Sequence, residues 1–489
     1  MIRGRPSELI RPRLAVLIAA VAAGFVPGIA NAATPIAVGD HRQLFIDNHL
    51  IGSFRNLKRV AHRPSMHPGN PILTGTEPWE RWLIGVNGNC VMYDEESREF
   101  RMWYGAYSDD PSKPAGQGYR VCYAVSKDGI HWTRPVLGQM EFEGSRKNNI
   151  MGSGDNWMRR PNIMKDRHET NPERRYKMTY VDVIGGKPAI AKAFSPDGIH
   201  WQLNADNKPW YTNAYNANLL GWDERIQRYV LFRRVTNLQH SIGRTLSKDF
   251  SDWTEPEVVL APGPAELDKN FQGFAAFFYE DVCFGFLSIR DQPRLYYNSE
   301  LAVSRDGARW ERFSPGQLFL EHGKPGSWYS ENITAVAPVV LGDRIWIYFT
   351  GTNYLHSGAS LGPVQRGWIE NGMRIQSAIG LATLRLDGFV SLEAGVEPGT
   401  VTTKSLQAAG DLRVNADVRG EMRVALLDGT GKPVAGYSAK DCEPIRSDGL
   451  RHAVRWGGKT SAQAQPGGKP FRLQFTLRDA NLYSFFFDR

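Results

Sequence analysis

Short apolar runs broken by tight polar turns recur from residue 89 to residue 391. Asn89-Cys-Val-Met-Tyr93 is followed by the polar turn Asp94-Glu-Glu-Ser-Arg98 and then by Glu99-Phe-Arg-Met-Trp-Tyr104. A third run, Tyr119 to Val125, leads into Ser126-Lys-Asp-Gly-Ile-His-Trp132. Runs this short, rich in aromatic and β-branched residues and bounded by turn formers, predict antiparallel strands joined by hairpins. The order then repeats. Asn162-Ile-Met pairs with Tyr176-Lys-Met-Thr-Tyr180, and Asn218-Leu-Leu-Gly-Trp222 with Arg228-Tyr-Val-Leu-Phe232. Phe274-Ala-Ala-Phe-Phe278 pairs with Val282-Cys-Phe-Gly-Phe286, and Thr334 to Val340 with Arg344-Ile-Trp-Ile-Tyr-Phe349.

A shared string marks the third turn of each unit. It reads Ser126 to Trp132, Ser195-Pro-Asp-Gly-Ile-His-Trp201, Ser247-Lys-Asp-Phe-Ser-Asp-Trp253 and Ser304-Arg-Asp-Gly-Ala-Arg-Trp310. Strand-and-turn repeats at intervals of 69, 52 and 57 residues between the tryptophans are the mark of a β-propeller. Leu386-Asp-Gly-Phe-Val-Ser391 is a worn fifth copy, with Ser391 where the tryptophan would stand. The fold expected is all-β: a five-bladed β-propeller over 34–400 followed by a small C-terminal β-sandwich over 401–489. Within it, Arg42 to Ile51 reads as a hairpin around Asp47-Asn48, and Pro64, Pro68 and Pro71 as a link into the first blade.

The repeated acids are turn chemistry. Asp accepts hydrogen bonds from backbone N–H groups two residues on, Gly supplies positive φ, and Trp packs on the neighbouring blade. Four copies around a ring cannot all reach one active site. Residues at the other end of each blade, ahead of the first strand or in the loop between the second and third, converge on the channel mouth instead. These are Asp155-Asn-Trp157-Met-Arg159-Arg160; Asn213, Asn216 and Asn218; Asp268-Lys-Asn-Phe-Gln272; and Ser330-Glu331-Asn332. The loops add Tyr107 to Asp110, Asp182, Arg233 with His240, Arg290-Asp291, and Asn353-Tyr354 with His356.

That inventory has carboxylates, amides, arginines and aromatics, and no nucleophile elbow or metal-spaced His/Cys cluster. Paired carboxylates in such a cleft suit glycosidic bond cleavage, one protonating the leaving oxygen and one attacking or activating water. Asp155, Asp268 and Glu331 are the catalytic candidates, with Asp47 as a fourth if the N-terminal hairpin reaches the mouth. Trp157, Arg159, Asn216, Asp182, Arg290, Tyr354 and His356 are the candidate substrate-binding residues. No cofactor and no metal ligand set is expected. A lyase would need Tyr354 or His356 as base and Arg159 or Arg290 to neutralise a uronate. A non-catalytic glycan-binding propeller would need the aromatics and amides alone.

Composition narrows the partners. The 489 residues carry a net charge of +8 with no Lys/Arg block, which gives no nucleic-acid stripe. Aromatics are abundant, at 14 Trp, 18 Tyr and 23 Phe, more than the blade motif consumes, and the surplus suits sugar stacking. Arg3, Arg5, Arg11 and Arg13, the apolar run Leu14 to Phe25 and Ala30-Asn-Ala-Ala33 read as a secretory signal peptide over 1–33. The mature chain is therefore expected outside the cytoplasm, periplasmic or extracellular, with no membrane contact after cleavage. Cys90 and Cys122 fall on strands two apart in a sheet, about 9–10 Å from each other, too far to bridge. Cys283 and Cys442 lie in other units, so all four read as small buried hydrophobes.

The chain resembles the five-bladed glycoside hydrolases of families 32 and 43. The blades, the repeated Ser-x-Asp-x-x-x-Trp string, the secretion signal and the trailing sandwich carry that resemblance; within it the chain is most similar to bacterial secreted proteins described as family-32-like, on Leu44-Phe-Ile-Asp-Asn-His-Leu-Ile51, Phe100-Arg-Met-Trp-Tyr104, Arg174-Arg-Tyr-Lys-Met178, the run Ala378 to Val390, and Leu482-Tyr-Ser-Phe485. It extends over nearly the whole mature chain and implies an exported glycosidase acting on a carbohydrate. Family 32 carries Trp-Met-Asn-Asp-Pro-Asn-Gly, Arg-Asp-Pro and Glu-Cys-Pro at its catalytic positions, and none of the three occurs here. Cys442-Glu443-Pro444 has the wrong order and lies in the sandwich. No catalytic residue is carried over by motif.

Overall fold

The computed structural model describes residues 34–81, 83–108, 118–151, 159–184, 187–203, 211–212, 216–236, 239–292, 295–354, 376–464 and 469–488. Nearly all of its regular structure is β. The first sheet is built on Glu99–Tyr107, which pairs with Tyr119–Ser126 on one edge. On its other edge lie Leu83–Gly85 and Val91–Asp94. The second sheet runs Arg159–Lys165, Tyr176–Ile184, Lys187–Ser195 and Gln202–Leu203. The third runs Ala217–Asp223, Arg228–Thr236, His240–Ser247 and Glu257–Leu260. Each is an antiparallel meander whose middle strands are buried along almost their whole length. Such double-sided burial explains why their sequences read as continuous apolar runs rather than as alternation.

A ten-stranded sheet follows. It holds two meanders, Lys269–Tyr279 with Val282–Asp291 and Tyr297–Ser304, then Asn332–Ala335 with Arg344–Thr352 and Ser377–Arg385. One parallel pair, Tyr297 with Asn332, joins them. Aromatic side chains fill the spaces between sheets. Trp103, Tyr104 and Tyr348 are fully buried in one cluster, and Phe284 stacks on Phe389 with centroids 4.5 Å apart in another.

The repeated string forms the same turn each time. Ser126 Oγ donates to Asp128 Oδ1 at 3.0 Å, and that oxygen accepts from the backbone N–H of Ile130 and His131. Asp197, Asp249 and Asp306 repeat the arrangement. The fourth position takes φ of +73°, +79° and +68° at Gly129, Gly198 and Gly307, and +63° at Phe250, where an L side chain is strained. Phe250 is fully buried, so packing offsets that strain. All four cysteines are free and buried.

Three expectations about the chain ends change. Arg42 to Ile51 is not a hairpin: Gln43–Leu44 pairs with Arg472–Asp488, and Ile51–Arg55 pairs with Gly399–Thr403. Both belong to an eight-stranded sheet organised on the long strands Asp411–Leu427 and Arg472–Asp488. A boundary at 400 therefore falls inside a strand of that sheet. The proline-rich stretch is not a plain link, because Ser65–Met66 and Leu73–Thr74 add to the outer edge of Ser377–Arg385. The residues after the worn fifth turn leave the ten-stranded sheet, and Val390–Ala394 pairs with Lys58–Ala61 and Arg472–Asp488. Within the turn over 386–389, Asp387 accepts from Arg42, Tyr279, Asn415 and Ser484, long-range partners where its counterparts hold local backbone N–H groups.

Candidate functional site

The first strands of the successive meanders point at one cavity. Asn87 and Gly88, Arg160 and Asn162, Asn216 and Asn218, Gln272 and Gly273, and Thr334 and Ala335 line it, joined by Ser288 and Tyr297. Three of these strands carry a β-bulge close to the cavity, at Arg159/Asn162, Leu219/Gly221 and Phe271/Gly273. A bulge inserts a residue and re-aims the side chains beside it. At Gly88, where φ is +56°, a Cβ would lie 1.5 Å from Asn162 Oδ1, so only glycine permits that approach.

The lining is knit by carboxamides. Arg160 donates to Asn216 Oδ1, and Asn216 Nδ2 donates to the Gln272 carbonyl. Arg234 donates to Gln272 Oε1 at 2.7 Å, and Gln272 Nε2 lies 2.9 Å from His240 Nδ1. Asn162 Nδ2 donates to the Ala217 carbonyl at 2.7 Å. Burial pushes the Tyr297 phenol up, and the charges of Arg160, Arg290 and Arg234 pull it partly back. Burial, with Arg234 and Arg290, pushes the His240 imidazole down, against the hydrogen bond from Gln272. Among the described residues no Asp or Glu lines this cavity.

The acids gather on the other face of the same sheet. Glu266, Asp268, Lys269, Asp291, Glu300 and Arg312 line a separate pocket of about 480 Å³. Alternation along the strands divides the two sites. Ser288 and Tyr297 face the central cavity, whereas Ile289, Asp291, Tyr296 and Asn298 face the acidic pocket. Lys269 Nζ contacts Asp268 Oδ2 at 3.0 Å and Asp291 Oδ2 at 2.6 Å. Sharing one ammonium places these carboxylates within roughly 6 Å of each other. Burial pushes the Glu300 carboxyl up despite Arg312, which donates to it.

The sequence candidates separate accordingly. Asp155, Trp157 and His356 lie outside the described residues, and Arg159 is placed only as the first residue of Arg159–Lys165. Asn216 lines the central cavity. Arg290 sits opposite Asn270 and Tyr297 in the sheet. Asp182 is buried at the same end of the second sheet, opposite Ala189. Asp268 belongs to the acidic pocket. Glu331 precedes Asn332–Ala335, its N–H donating to the Thr352 carbonyl at 3.0 Å and its carboxylate accepting from Ser330. Asp268 and Glu331 each precede a strand of the ten-stranded sheet, at the same end of it.

Two candidates take other positions. Asp47 is at the far end of the fourth meander, where Arg305 holds it at 3.0 Å. Burial pushes its carboxyl up, and the hydrogen bonds and charge of Arg305 draw it below the usual range. The 11 residues of Lys269–Tyr279 separate that end from Asp268 by about 33 Å. Tyr354 is buried, and burial pushes its phenol up, which suits packing better than proton abstraction. Sequence reasoning missed Arg234, Tyr297, Asn87 and Gly88. The only trace of them was their position near the starts or ends of predicted strands.

No known family's sequence pattern and no curated protein matches the chain. Solved structures match at low similarity. A glycosyl hydrolase from Bacteroides ovatus is 14% identical with a TM-score of 0.44, covering 67% of this chain and 97% of its own. The β-1,2-mannobiose phosphorylase of Listeria innocua, in complex with β-1,2-mannobiose, is 12% identical with a TM-score of 0.44, covering 68% and 98%. A thermostable family-43 glycoside hydrolase is 13% identical with a TM-score of 0.42, covering 70% and 98%. At this level of likeness nothing of their activities is carried to this chain.

Proposed function

We propose that this protein is an exported, glycan-processing five-bladed propeller with a trailing β-sandwich, the ten-stranded sheet counting as two blades and the eight-stranded sheet as the sandwich. The observation that carries the reading is the central cavity. Separate meanders contribute Asn87, Asn162, Asn216, Asn218 and Gln272 to one small space. Carboxamides offer donors and acceptors in pairs, which is what the hydroxyls of a sugar require. The repeated acids Asp128, Asp197, Asp249 and Asp306 are engaged in turns, which leaves the unrepeated ends for chemistry. For a glycosidic reaction, Asp268 and Glu331 are the candidates among the described residues, and Asp291 shares the Lys269 ammonium with Asp268.

Release of reducing sugar from a panel of plant, algal and microbial glycans tests this. Asp268→Asn, Asp291→Asn and Glu331→Gln are each expected to lower turnover by about 100-fold or more where the residue acts as acid, base or nucleophile. A second reading, a non-catalytic glycan-binding propeller, has its own support, since among the described residues no carboxylate lines the cavity. Binding to a glycan that is never cleaved, unaffected by the three substitutions, would favour it. Failure to bind or cleave any glycan would refute both.

A further inference from the structure

Two side chains hold the Gln272 carboxamide, in the wall of the central cavity, from opposite ends. Gln272 is buried and stands at the bulge between Phe271 and Gly273, which turns it inward. Arg234 Nη1 lies 2.7 Å from its Oε1, and His240 Nδ1 lies 2.9 Å from its Nε2. A guanidinium has donors only, so the amide atom it meets is the carbonyl oxygen. The amide nitrogen therefore faces the ring and donates, and Nδ1 accepts. A ring nitrogen that accepts carries no proton, so His240 is neutral with its proton on Nε2.

The same logic runs on along the wall. The Gln272 carbonyl accepts from Asn216 Nδ2, and Asn216 Oδ1 accepts from Arg160. An arginine again ends the chain as a donor, so the Asn216 amide also has one orientation. By the count of donors and acceptors, each carboxamide keeps one N–H and one lone pair beyond these bonds, the complement of a sugar hydroxyl.

A proton on Nδ1 breaks this arrangement. It would set N–H against N–H, and turning the carboxamide to bring Oε1 to the ring would set its NH2 against Arg234. The Gln272 contact would favour an imidazolium only with Oε1 toward the ring, and Arg234 holds that oxygen. The other groups around the ring act the same way. Strand Lys269–Tyr279 brings Asn270, whose Oδ1 accepts from the His240 N–H at 2.9 Å and whose partner across the sheet is Arg290. The Lys269 ammonium next to it is taken up by Asp268 and Asp291. Burial, then Arg234 on Arg228–Thr236 and Arg290 on Val282–Asp291, push the imidazole down, and among the described residues no acid acts on it.

We propose that His240, as the neutral tautomer protonated on Nε2, is a positioning residue of the central cavity: it holds the Gln272 carboxamide in the orientation that binds sugar, and protonation of the ring releases that sugar in acid. This rests on the carbohydrate reading above and adds the protonation state in which the site binds. The competent ring is the neutral one, so affinity is complete at neutral pH and is lost below the ordinary histidine value of about 6.5, where the ring takes up its proton.

The full-length protein carrying isotope-labelled histidine reports the ring through long-range proton–nitrogen spectra, and His240→Gln identifies its signals. The wild type should show the Nε2–H tautomer at about pH 8 and a titration below about 6.5. Gln272→Glu puts a carboxylate oxygen against the ring whichever way it turns, and should raise that titration by about one unit or more. Calorimetric titration with neutral xylo-, arabino-, manno- and fructo-oligosaccharides reads binding. A glycan that binds at about pH 8 should weaken about tenfold across the interval in which the ring titrates, the worth of one hydrogen bond. Saturating glycan should in turn lower the ring's titration by about one unit. His240→Gln should bind without that pH dependence, and thermal unfolding checks that each variant is folded. A ring protonated on Nδ1 at about pH 8, or the same titration in the wild type and in Gln272→Glu, overturns the inference. Affinity that stays flat through the ring's titration also overturns it and leaves the carbohydrate reading standing. If no glycan binds, the carbohydrate reading falls, and the tautomer and titration of the ring alone sustain or overturn the role of His240.

Discussion

Arg42 and Asp387, 345 positions apart, meet in a hydrogen-bonded ion pair of 2.8 Å whose carboxylate is wholly buried. Tyr279, at the end of strand Lys269–Tyr279, donates to the same carboxylate oxygen at 2.6 Å. Asn415 and Ser484, on the two long strands of the eight-stranded sheet, donate to the other. One side chain thus joins the N-terminal segment, the ten-stranded sheet and the eight-stranded sheet.

Asp387→Ala is expected to destabilise the protein by about 3–5 kcal/mol, the cost of removing one partner from a buried charged network. Urea unfolding followed by tryptophan fluorescence measures it. A loss below about 1 kcal/mol would mean that solvent or a neighbouring group satisfies Arg42 as well as Asp387 does.

Acid should weaken the fold over a defined interval. Burial pushes the Asp94 carboxyl up, but hydrogen bonds from Lys165, the Glu96 N–H and Tyr176 outweigh it and hold it at about 2. Asp197 and Asp306 are likewise raised by burial and drawn down to about 2, chiefly by His200 and by backbone N–H groups respectively. A carboxyl whose pKa is lower folded than unfolded binds protons more readily in the unfolded chain. Its stabilisation is complete above the unfolded value near 4 and is lost as pH falls toward 2. Urea midpoints taken from pH 5 to pH 2 should drop steadily, and Asp94→Asn should flatten the drop. A flat profile in the wild type would refute the assignment.

The thiols should be silent in the native protein. Burial pushes Cys90 up to about 12 and Cys442 up to about 11, and Cys122 and Cys283 also rise because of burial. At neutral pH none is a thiolate, the reactive form. Ellman's reagent should titrate none of the four without denaturant and all four in guanidinium. Fast labelling of the folded protein would show that a sheet opens on that timescale.

Phe250 occupies a turn position that its three counterparts give to glycine. Phe250→Gly relieves a left-handed φ worth about 1–2 kcal/mol but vacates a fully buried ring, which costs about 3–5 kcal/mol. The net loss should be about 1–4 kcal/mol, read from the thermal midpoint. A stabilised variant would mean that strain, not packing, dominates there.

The turns were legible because their chemistry is local. Ser126, Asp128 and Gly129 satisfy one another within four residues, so spacing alone announces them. The central cavity was half legible. Strings such as Arg159-Arg160 and Asp268 to Gln272 marked where each strand begins, but not which residue the bulges turn inward. Asn216 and Gln272 are 56 positions apart, and no periodicity links them. The surroundings of Asp47 were not legible, because an acid after an apolar run looks the same whether it faces a ligand or an arginine 258 positions away. The destination of the N-terminal strands was invisible for the same reason, since their partners are chosen by the edges other strands leave open.

Ser65–Met66 and Leu73–Thr74 close the edge of Ser377–Arg385, and Asn70 donates to the Leu381 carbonyl 311 positions away. During synthesis these early strands wait for a partner until the four meanders and most of the ten-stranded sheet have been made. Contacts of that separation form late, so a nascent chain released before residue 385 would keep an open, unpaired edge. Closing that edge is then a late event, and a truncated product would be a substrate for chaperones and proteases rather than a smaller working protein.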